Sequence, residues 1–175
     1  MQSTRLDQKQ DANGEDRTAV ELAQARIFCA AVQHVFKTML GFEVAMSPPQ
    51  LKHTKQVSGE ITGIMPLAGD LKGTVAVSLT EKAALLITGT LLGEEYDRVT
   101  PDVVDAIGEL TNILLGRARA EFDLTGFHLS ASLPTVVVGK DVEINLVTKL
   151  PIVSIPFRFS ALGENEHLFL DFSLE

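Results

Sequence analysis

Residues 105–116 read DAIGELTNILLG and form the centre of a long predicted helix. Thr100 and Pro101 give this helix an N-cap followed by a first-turn proline, which is a strong start signal. The helical pattern runs to about Asp123. An apolar stripe at helical spacing predicts the buried face, which comprises Val103, Ile107, Leu110, Leu114 and Ala118.

A polar row runs down another side of the same helix, with spacings of four, three, four and three residues: Asp105, Glu109, Asn112, Gly116 and Arg119. Two glycines, Gly108 and Gly116, lie beside or within this row. Each costs a helix interior about 1 kcal/mol relative to alanine. Their presence suggests that something approaches the helix backbone closely. The spacing leaves open whether this is a partner or another element of the same chain.

A second long helix is predicted upstream, over residues 18–41, with Thr18 as a plausible N-cap and Gly41 as its stop. Two apolar rows with four-residue steps predict a broad buried face: Ala23, Ile27, Ala31, Val35 and Met39 in one row, and Phe28, Val32, Phe36 and Leu40 in the other. Residues 1–17 hold only one large apolar side chain besides Met1. We therefore expect a mobile N-terminal tail, residues 1–17, and a single domain, residues 18–175.

Strand patterns follow each long helix. Residues 58–67 and 73–79 predict a strand pair, and Thr80 then caps a shorter helix that Gly93 closes. After the third helix, residues 128–139, 142–150, 153–162 and 167–174 are strand-rich, and the last two segments predict a hairpin. This order predicts an α+β fold of two pseudo-repeated helix-plus-strand units, with helices packed on a largely antiparallel sheet. A weak echo, HVFKTMLG against ELTNILLG at an offset of 75, is consistent with duplication.

Composition excludes several classes of function. The net charge of −8 disfavours binding to nucleic acid or an anionic membrane. No apolar run is long enough to span a bilayer and no signal peptide is present, so we expect a cytoplasmic protein. The single cysteine, Cys29, lies in an apolar helical pattern and is expected to be a buried inert thiol. No ligand cluster predicts a metal bound by this chain.

The polar row allows several chemistries. A dinuclear metal site would need histidine three residues after Glu109, where Asn112 stands instead. General acid–base catalysis would need a pocket or a nearby histidine. The carboxamide of Asn112 has both a donor and an acceptor, so it could hold a water in line with a phosphoryl group. The carboxylate of Glu109 could anchor a cation on a partner. By spacing alone, however, a solvated helix face is the better account.

The stretch DAIGELTNILLG, followed by SASLPTVVVG, resembles the CheC/CheX/FliY family of chemotaxis phosphatases. The family pattern is Asp or Ser, three residues, Glu, two residues, Asn, and a proline about 22 residues later. Asp105, Glu109 and Asn112 match it, and Pro134 follows Asn112 with 21 residues between. The opening helix, with HVFKTMLG, resembles that of the CheX branch. The resemblance covers the chain from about residue 19 to the end.

The resemblance also bears on the number of sites and on assembly. CheC-type members carry two Glu/Asn pairs, one in each repeat. In the offset-75 alignment, His34 and Lys37 take the places of Glu109 and Asn112, so only the second copy is intact. This agrees with the CheX branch, which has one site per chain and forms a homodimer, and we therefore expect a homodimer here.

The function that this resemblance implies is hydrolysis of the aspartyl phosphate on a phosphorylated CheY-like response regulator. Asn112 would position the attacking water, and Glu109 would engage the regulator's lysine. The regulator would bring its own Mg²⁺, so no cofactor bound by this chain is expected. Asp105 and Pro134 would support the site locally, whereas Gly108 and Gly116 would give clearance to the partner.

The alternative is a non-catalytic CheC-like adaptor that docks a response regulator or a receptor-modifying enzyme. The two hypotheses differ in what they require of the helix. A phosphatase needs Glu109 and Asn112 side by side and exposed, whereas burial of either against its own chain would favour the adaptor.

Overall fold

A computed structural model describes residues 3–144, 151–159 and 166–175, with side chains described from residue 17 onward. Its helices are α1 (Ser3–Val35), which continues as a π-helical turn (Phe36–Leu40), α2 (Glu81–Leu92) and α3 (Pro101–Leu124). Its strands are β1 (Val44–Met46), β2 (Gln50–Lys52), β3 (Ile61–Gly69), β4 (Gly73–Leu79), β5 (Leu129–Ala131), β6 (Thr135–Val138), β7 (Ile152–Phe159) and β8 (His167–Leu174).

Most of the predicted helix boundaries are confirmed. The hydroxyl of Thr100 accepts a hydrogen bond from the backbone N–H of Val103, and Pro101 occupies the first turn of α3. Thr80 caps α2 in the same way, and Gly93 ends it in a left-handed conformation. Helix α1 begins at Ser3, so Thr18 is not its N-cap. The mobility of residues 1–17 and the single domain at 18–175 stay predictions.

The buried face of α1 differs from the predicted one in one of its two rows. Phe28, Val32, Phe36 and Leu40 are all buried, as predicted. In the other row Ala23 and Met39 are exposed. Four-residue steps advance about 40° beyond a full turn, so a long row of this kind leaves the buried face at its ends.

The eight described strands form one antiparallel sheet in the order β1-β7-β8-β4-β3-β5, with β2 also on β7 and β6 also on β3. The predicted pairs β3–β4 and β7–β8 are confirmed. Of the strand predicted at residues 142–150, Glu143 makes an isolated bridge to Gln56, and residues 145–150 lie outside the described residues. Residues 160–165, between β7 and β8, lie outside them too.

This strand order has an internal two-fold pattern. If each strand of β1–β4 is exchanged with its counterpart in β5–β8, the resulting list is the same strand order read from the other edge. The centre of this two-fold pattern lies between β4 and β8. Helix α1 precedes the first four strands and α3 precedes the second four. The predicted α+β fold of two helix-plus-strand units is therefore confirmed.

The hydrophobic core lies between the sheet and the helices α1 and α3. Phe28 of α1 packs against Phe122 of α3, with ring centroids 5.6 Å apart, and against Phe172 of β8 at 4.8 Å. The predicted α3 stripe is buried throughout. Glycine at position 63 of β3 lets α3 approach, because an added Cβ would collide with the side chain of Thr111. This packing fixes which side of α3 faces outward.

Two sequence predictions concern burial and helix length. Cys29 is buried, as predicted, and burial raises the pKa of its thiol to about 11, which disfavours the reactive thiolate at neutral pH. Within the described ranges, no helix has the length and apolar character that crossing a membrane requires.

Candidate functional site

The polar row of α3 lies on its solvent-facing side. Asp105, Glu109, Asn112 and Gly116 are all exposed, while the opposite side of the helix is buried in the core. Glu109 and Asn112 are three residues apart on a helix, which places their Cβ atoms about 5–6 Å from each other. Neither side chain makes a hydrogen bond or an ion pair with another described residue. The carboxylate and the amide are therefore adjacent and available to a partner.

The two glycines of α3 lie in different surroundings. Gly108 is buried, and a Cβ added there would lie 3.3 Å from Cγ2 of Val136 on β6. The prediction that Gly108 gives clearance to a partner is wrong, because its close neighbour is strand β6 of the same chain. Gly116 is exposed, and an added Cβ would meet nothing within 4 Å. A partner's access to the backbone at Gly116 stays a prediction.

Arg119, the last member of the row, is used within the fold. Its Nε donates a hydrogen bond of 2.8 Å to the carbonyl oxygen of Leu129 on β5. Together with the contact between Gly108 and Val136, this bond holds the outer strands beside α3. The earlier strand residue contacts the later helix residue, and the later strand residue contacts the earlier one. Residues 129–136 therefore pass antiparallel to residues 108–119 of the helix.

Pro134 lies where this outer strand is interrupted. On β3, residues 67–69 pair with β5 and residues 61–64 pair with β6. Met65 and Pro66 therefore have no partner on this side, and Ser132, Leu133 and Pro134 cross the gap. Three residues opposite two form a bulge, and each proline lacks the N–H that continued pairing would need. Pro134 thus shapes the sheet edge next to the site.

The bulge exposes a residue that the sequence pattern did not single out. Leu133 shows 85% of its surface to solvent. Strict alternation from the buried Leu129 would place it on the inner face. The added residue interrupts this alternation, and Leu133 is exposed to solvent at the bulge. The available signal was proline at positions 66 and 134, since each interrupts a strand pattern.

The first helix carries no second copy of the polar pair. His34 and Lys37, which occupy the corresponding positions on α1, are both exposed. Lys37 lies 4.0 Å from the carboxylate of Glu43. A histidine and a lysine cannot replace a carboxylate and an amide, because both can carry positive charge. The Glu/Asn pair is therefore present on α3 and not at the corresponding positions of α1.

The arrangement presents polar groups on a convex helix surface. A cavity of about 590 Å³ lies elsewhere, between α2 and the loop after it, lined in part by Leu85, Gly89 and Tyr96. None of its lining residues belongs to the polar row. In the described part of the chain, no group of three or more His, Cys, Asp or Glu residues is arranged to hold a metal ion. The geometry favours recognition of a protein surface over enclosure of a small molecule.

Comparisons with known proteins place this site in context. The family model described as chemotaxis phosphatase CheX matches residues 61–158, which include the polar row and Pro134. The CheY-P phosphatase CheX of Thermotoga maritima is 28% identical over 135 residues, covering 73% of this chain and 87% of that protein.

Solved structures share the fold. A chemotaxis protein CheX from Desulfovibrio desulfuricans has a TM-score of 0.79 at 28% identity, covering 87% of this chain and 99% of that chain. A chain of the CheX–CheY–BeF₃–Mg²⁺ complex from Borrelia burgdorferi has a TM-score of 0.72 at 23% identity, covering 86% of this chain and 97% of that chain. The similarity extends over nearly the full length of both structures.

Proposed function

This chain belongs to the CheX family of chemotaxis phosphatases, and on that basis we propose that it hydrolyses the aspartyl phosphate of a CheY-like response regulator. The observation that carries the proposal is the exposed Glu109–Asn112 pair on α3, which has no partner among the described residues. Burial of either side chain would have favoured the adaptor hypothesis. The phosphatase is therefore the better supported of the two.

In the proposed mechanism, Asn112 acts on the attacking water. Its carboxamide oxygen accepts a hydrogen bond from the water, and its NH₂ group donates a hydrogen bond to the water oxygen. Together these bonds hold the water in line with the phosphorus. An amide on a packed helix loses little freedom when it does this, so the gain is one of orientation. The rigid base is α3, whose inner face is buried against the sheet.

Glu109 has a docking role in the same proposal. Its carboxylate, one helical turn before the amide, pairs with the lysine beside the regulator's phosphorylated aspartate. The ion pair becomes partly desolvated when the surfaces meet, which strengthens it relative to an exposed pair. Asp105 extends the acidic surface by one more turn and supports the pair locally.

The metal in this reaction belongs to the regulator. The Borrelia burgdorferi complex contains CheY, BeF₃ and Mg²⁺ together with its CheX. We propose the same division here, in which the regulator supplies Mg²⁺ and the phosphoryl group and this chain supplies the side chains of α3. We also propose that the protein acts in the cytoplasm, where such regulators are found.

The proposal is tested by measuring phosphate release from purified phosphorylated response regulators of the same organism. We expect the wild-type protein to accelerate release from at least one regulator, with a dependence on Mg²⁺ that follows the regulator's own metal affinity. Acceleration of none of them, together with measurable binding, would establish the adaptor instead.

Two substitutions at Gly116 test different properties: alanine tests the stability of α3, and leucine tests the clearance for a partner. Gly116→Ala should raise the free energy of unfolding by about 1 kcal/mol, because alanine is the better helix former and the added Cβ meets nothing in the chain. Gly116→Leu should lower kcat/KM by about tenfold, the loss expected when a close contact is overfilled. Thermal unfolding and phosphate release measure the two effects. Normal kcat/KM for Gly116→Leu would remove the clearance role.

We also predict a homodimer, as in the CheX branch of the family. The sheet ends on both sides in short strands, β1 with β2 at one edge and β5 with β6 at the other. Among the described strands these edges have no further partner, and an edge strand can pair with a second copy of the chain. Sedimentation at micromolar concentration should show the mass of two chains. A single species with the mass of one chain would contradict the prediction.

A further inference from the structure

Leu133 is the most exposed of the large apolar side chains in the described part of the chain, at 85%. It does not lie on a free loop. The strands on either side of it pair with β3, and the residue after it is proline. The bulge therefore holds an apolar side chain outward at a fixed place on the sheet edge. Such a side chain contributes little to folding, since it is not buried.

Two contacts locate Leu133 relative to the polar row. Val136 lies level with Gly108, and the carbonyl of Leu129 lies within the reach of Arg119. Leu133 lies between these two strand positions in the sequence. It is therefore located beside the part of α3 between Gly108 and Arg119. Asn112 lies within that interval. At 1.5 Å per residue, Leu133 is within about 10 Å of Asn112 along the helix axis.

The size of a protein interface decides whether a partner at Asn112 also reaches Leu133. A standard interface buries about 800 Å² on each partner, which corresponds to a disc with a radius of about 16 Å. A disc of this size centred on Asn112 includes the adjacent sheet edge, because packed elements lie about 10 Å apart. A regulator that brings its phosphoryl group to Asn112 would, with an interface of this size, reach the sheet edge that carries Leu133.

We infer that Leu133 is an apolar docking residue for the phosphorylated regulator, recognising an apolar side chain next to the regulator's phosphorylation site. This inference rests on the proposed function and adds a specificity determinant outside the family's sequence pattern. The acidic row of α3 selects for positive charge on the regulator, and Leu133 selects for an apolar neighbour. Leu133 acts on binding and touches none of the reacting atoms.

The experiment compares Leu133 with Leu124, which is 82% exposed and provides a matched control. Leu124 lies 12 residues after Asn112, which is about 18 Å along the helix and outside the expected interface. The variants are Leu133→Asp, Leu133→Met and Leu124→Asp. The probes are a regulator activated with BeF₃ and Mg²⁺ for binding, and the phosphorylated regulator for turnover.

We expect Leu133→Asp to raise the Kd for the BeF₃-activated regulator by about tenfold or more, the loss typical of an interface anchor. KM should rise with it at unchanged kcat. Leu133→Met should bind nearly as well as the wild type, because it keeps an apolar side chain of similar volume. Leu124→Asp should change neither constant. Melting temperatures should agree among all of these proteins.

Three results would overturn the inference. One is a fall in kcat at unchanged Kd, which would mean that Leu133 only supports the site. Another is a change in the sedimentation of Leu133→Asp, which would assign Leu133 to a contact between copies of this chain. The third is normal binding by Leu133→Asp. If the wild type binds the regulator without hydrolysing its phosphate, the proposed function fails, whereas the comparison of Kd values still decides the role of Leu133.

Discussion

Asn112→Ala should slow dephosphorylation of the regulator by about 100-fold or more, the loss expected when a well-placed catalytic group is removed. Binding should stay nearly intact, because the amide orients the water in the transition state and contributes little to docking. The fold should be unaffected, since Asn112 is exposed and lies off the apolar stripe of α3. Decay of the phosphorylated regulator over a range of enzyme concentrations gives kcat and KM separately.

Asp105→Ala is the matched control for this experiment. Asp105 lies in the same row, is exposed like Asn112, and is assigned only local support. Its loss should reduce kcat much less than the loss of Asn112. Near-normal turnover by Asn112→Ala, with the melting temperature unchanged, would show that Asn112 is not the catalytic amide. The adaptor or a different site would then be the better account.

Glu109→Lys should produce the second large effect, and in both binding and turnover. The substitution replaces a carboxylate that meets a cation with a second cation, and like charges in a partly desolvated contact cost several kcal/mol. We expect kcat/KM to fall by about 100- to 1,000-fold, on the scale of 2–5 kcal/mol for a broken interfacial charge pair. Glu109→Ala should weaken both binding and turnover less, because it removes the attraction without adding repulsion.

Glu95→Lys controls for the change in total charge. Glu95 is exposed in the loop before α3, and its reversal changes the net charge by the same amount outside the polar row. Its kcat/KM should stay close to that of the wild type. Raising the salt concentration should narrow the gap between wild type and Glu109→Lys, because screening weakens the charge interaction. Equal losses in both charge-reversal variants would assign the effect to overall charge and reject the pairing of Glu109 with a lysine.

Helix α3 shows how far local spacing goes in predicting this site. The predicted start of the helix is confirmed by the Thr100 cap, and the predicted apolar stripe is buried. The predicted common surface of Asp105, Glu109 and Asn112 is confirmed by the exposure of all three residues. This succeeds because the periodicity of a single helix fixes which side chains share a face. The periodicity did not indicate the function of the exposed polar row. The function came from resemblance to a family.

Two of the short edge strands could not be predicted in the same way. β1 and β2 are three residues long, which is too short for an alternating pattern, whereas β5 lies within the strand predicted at residues 128–139. β1 and β2 form because β7 offers backbone groups that need partners. The sheet's two-fold strand order depends on these pairings. In the sequence, this two-fold order is accompanied only by a short similarity between α1 and α3.

By itself, the sequence determined the helices, the central strand pairs and the row of polar side chains on α3. Each of these depends on spacing or capping within a few residues. Only the tertiary structure separated Gly108, which packs against Val136, from Gly116, which is open to solvent. Only the tertiary structure turned Leu133 outward. In both cases the deciding neighbour comes from a different element, and a distant neighbour leaves no periodic signal at the residue it contacts.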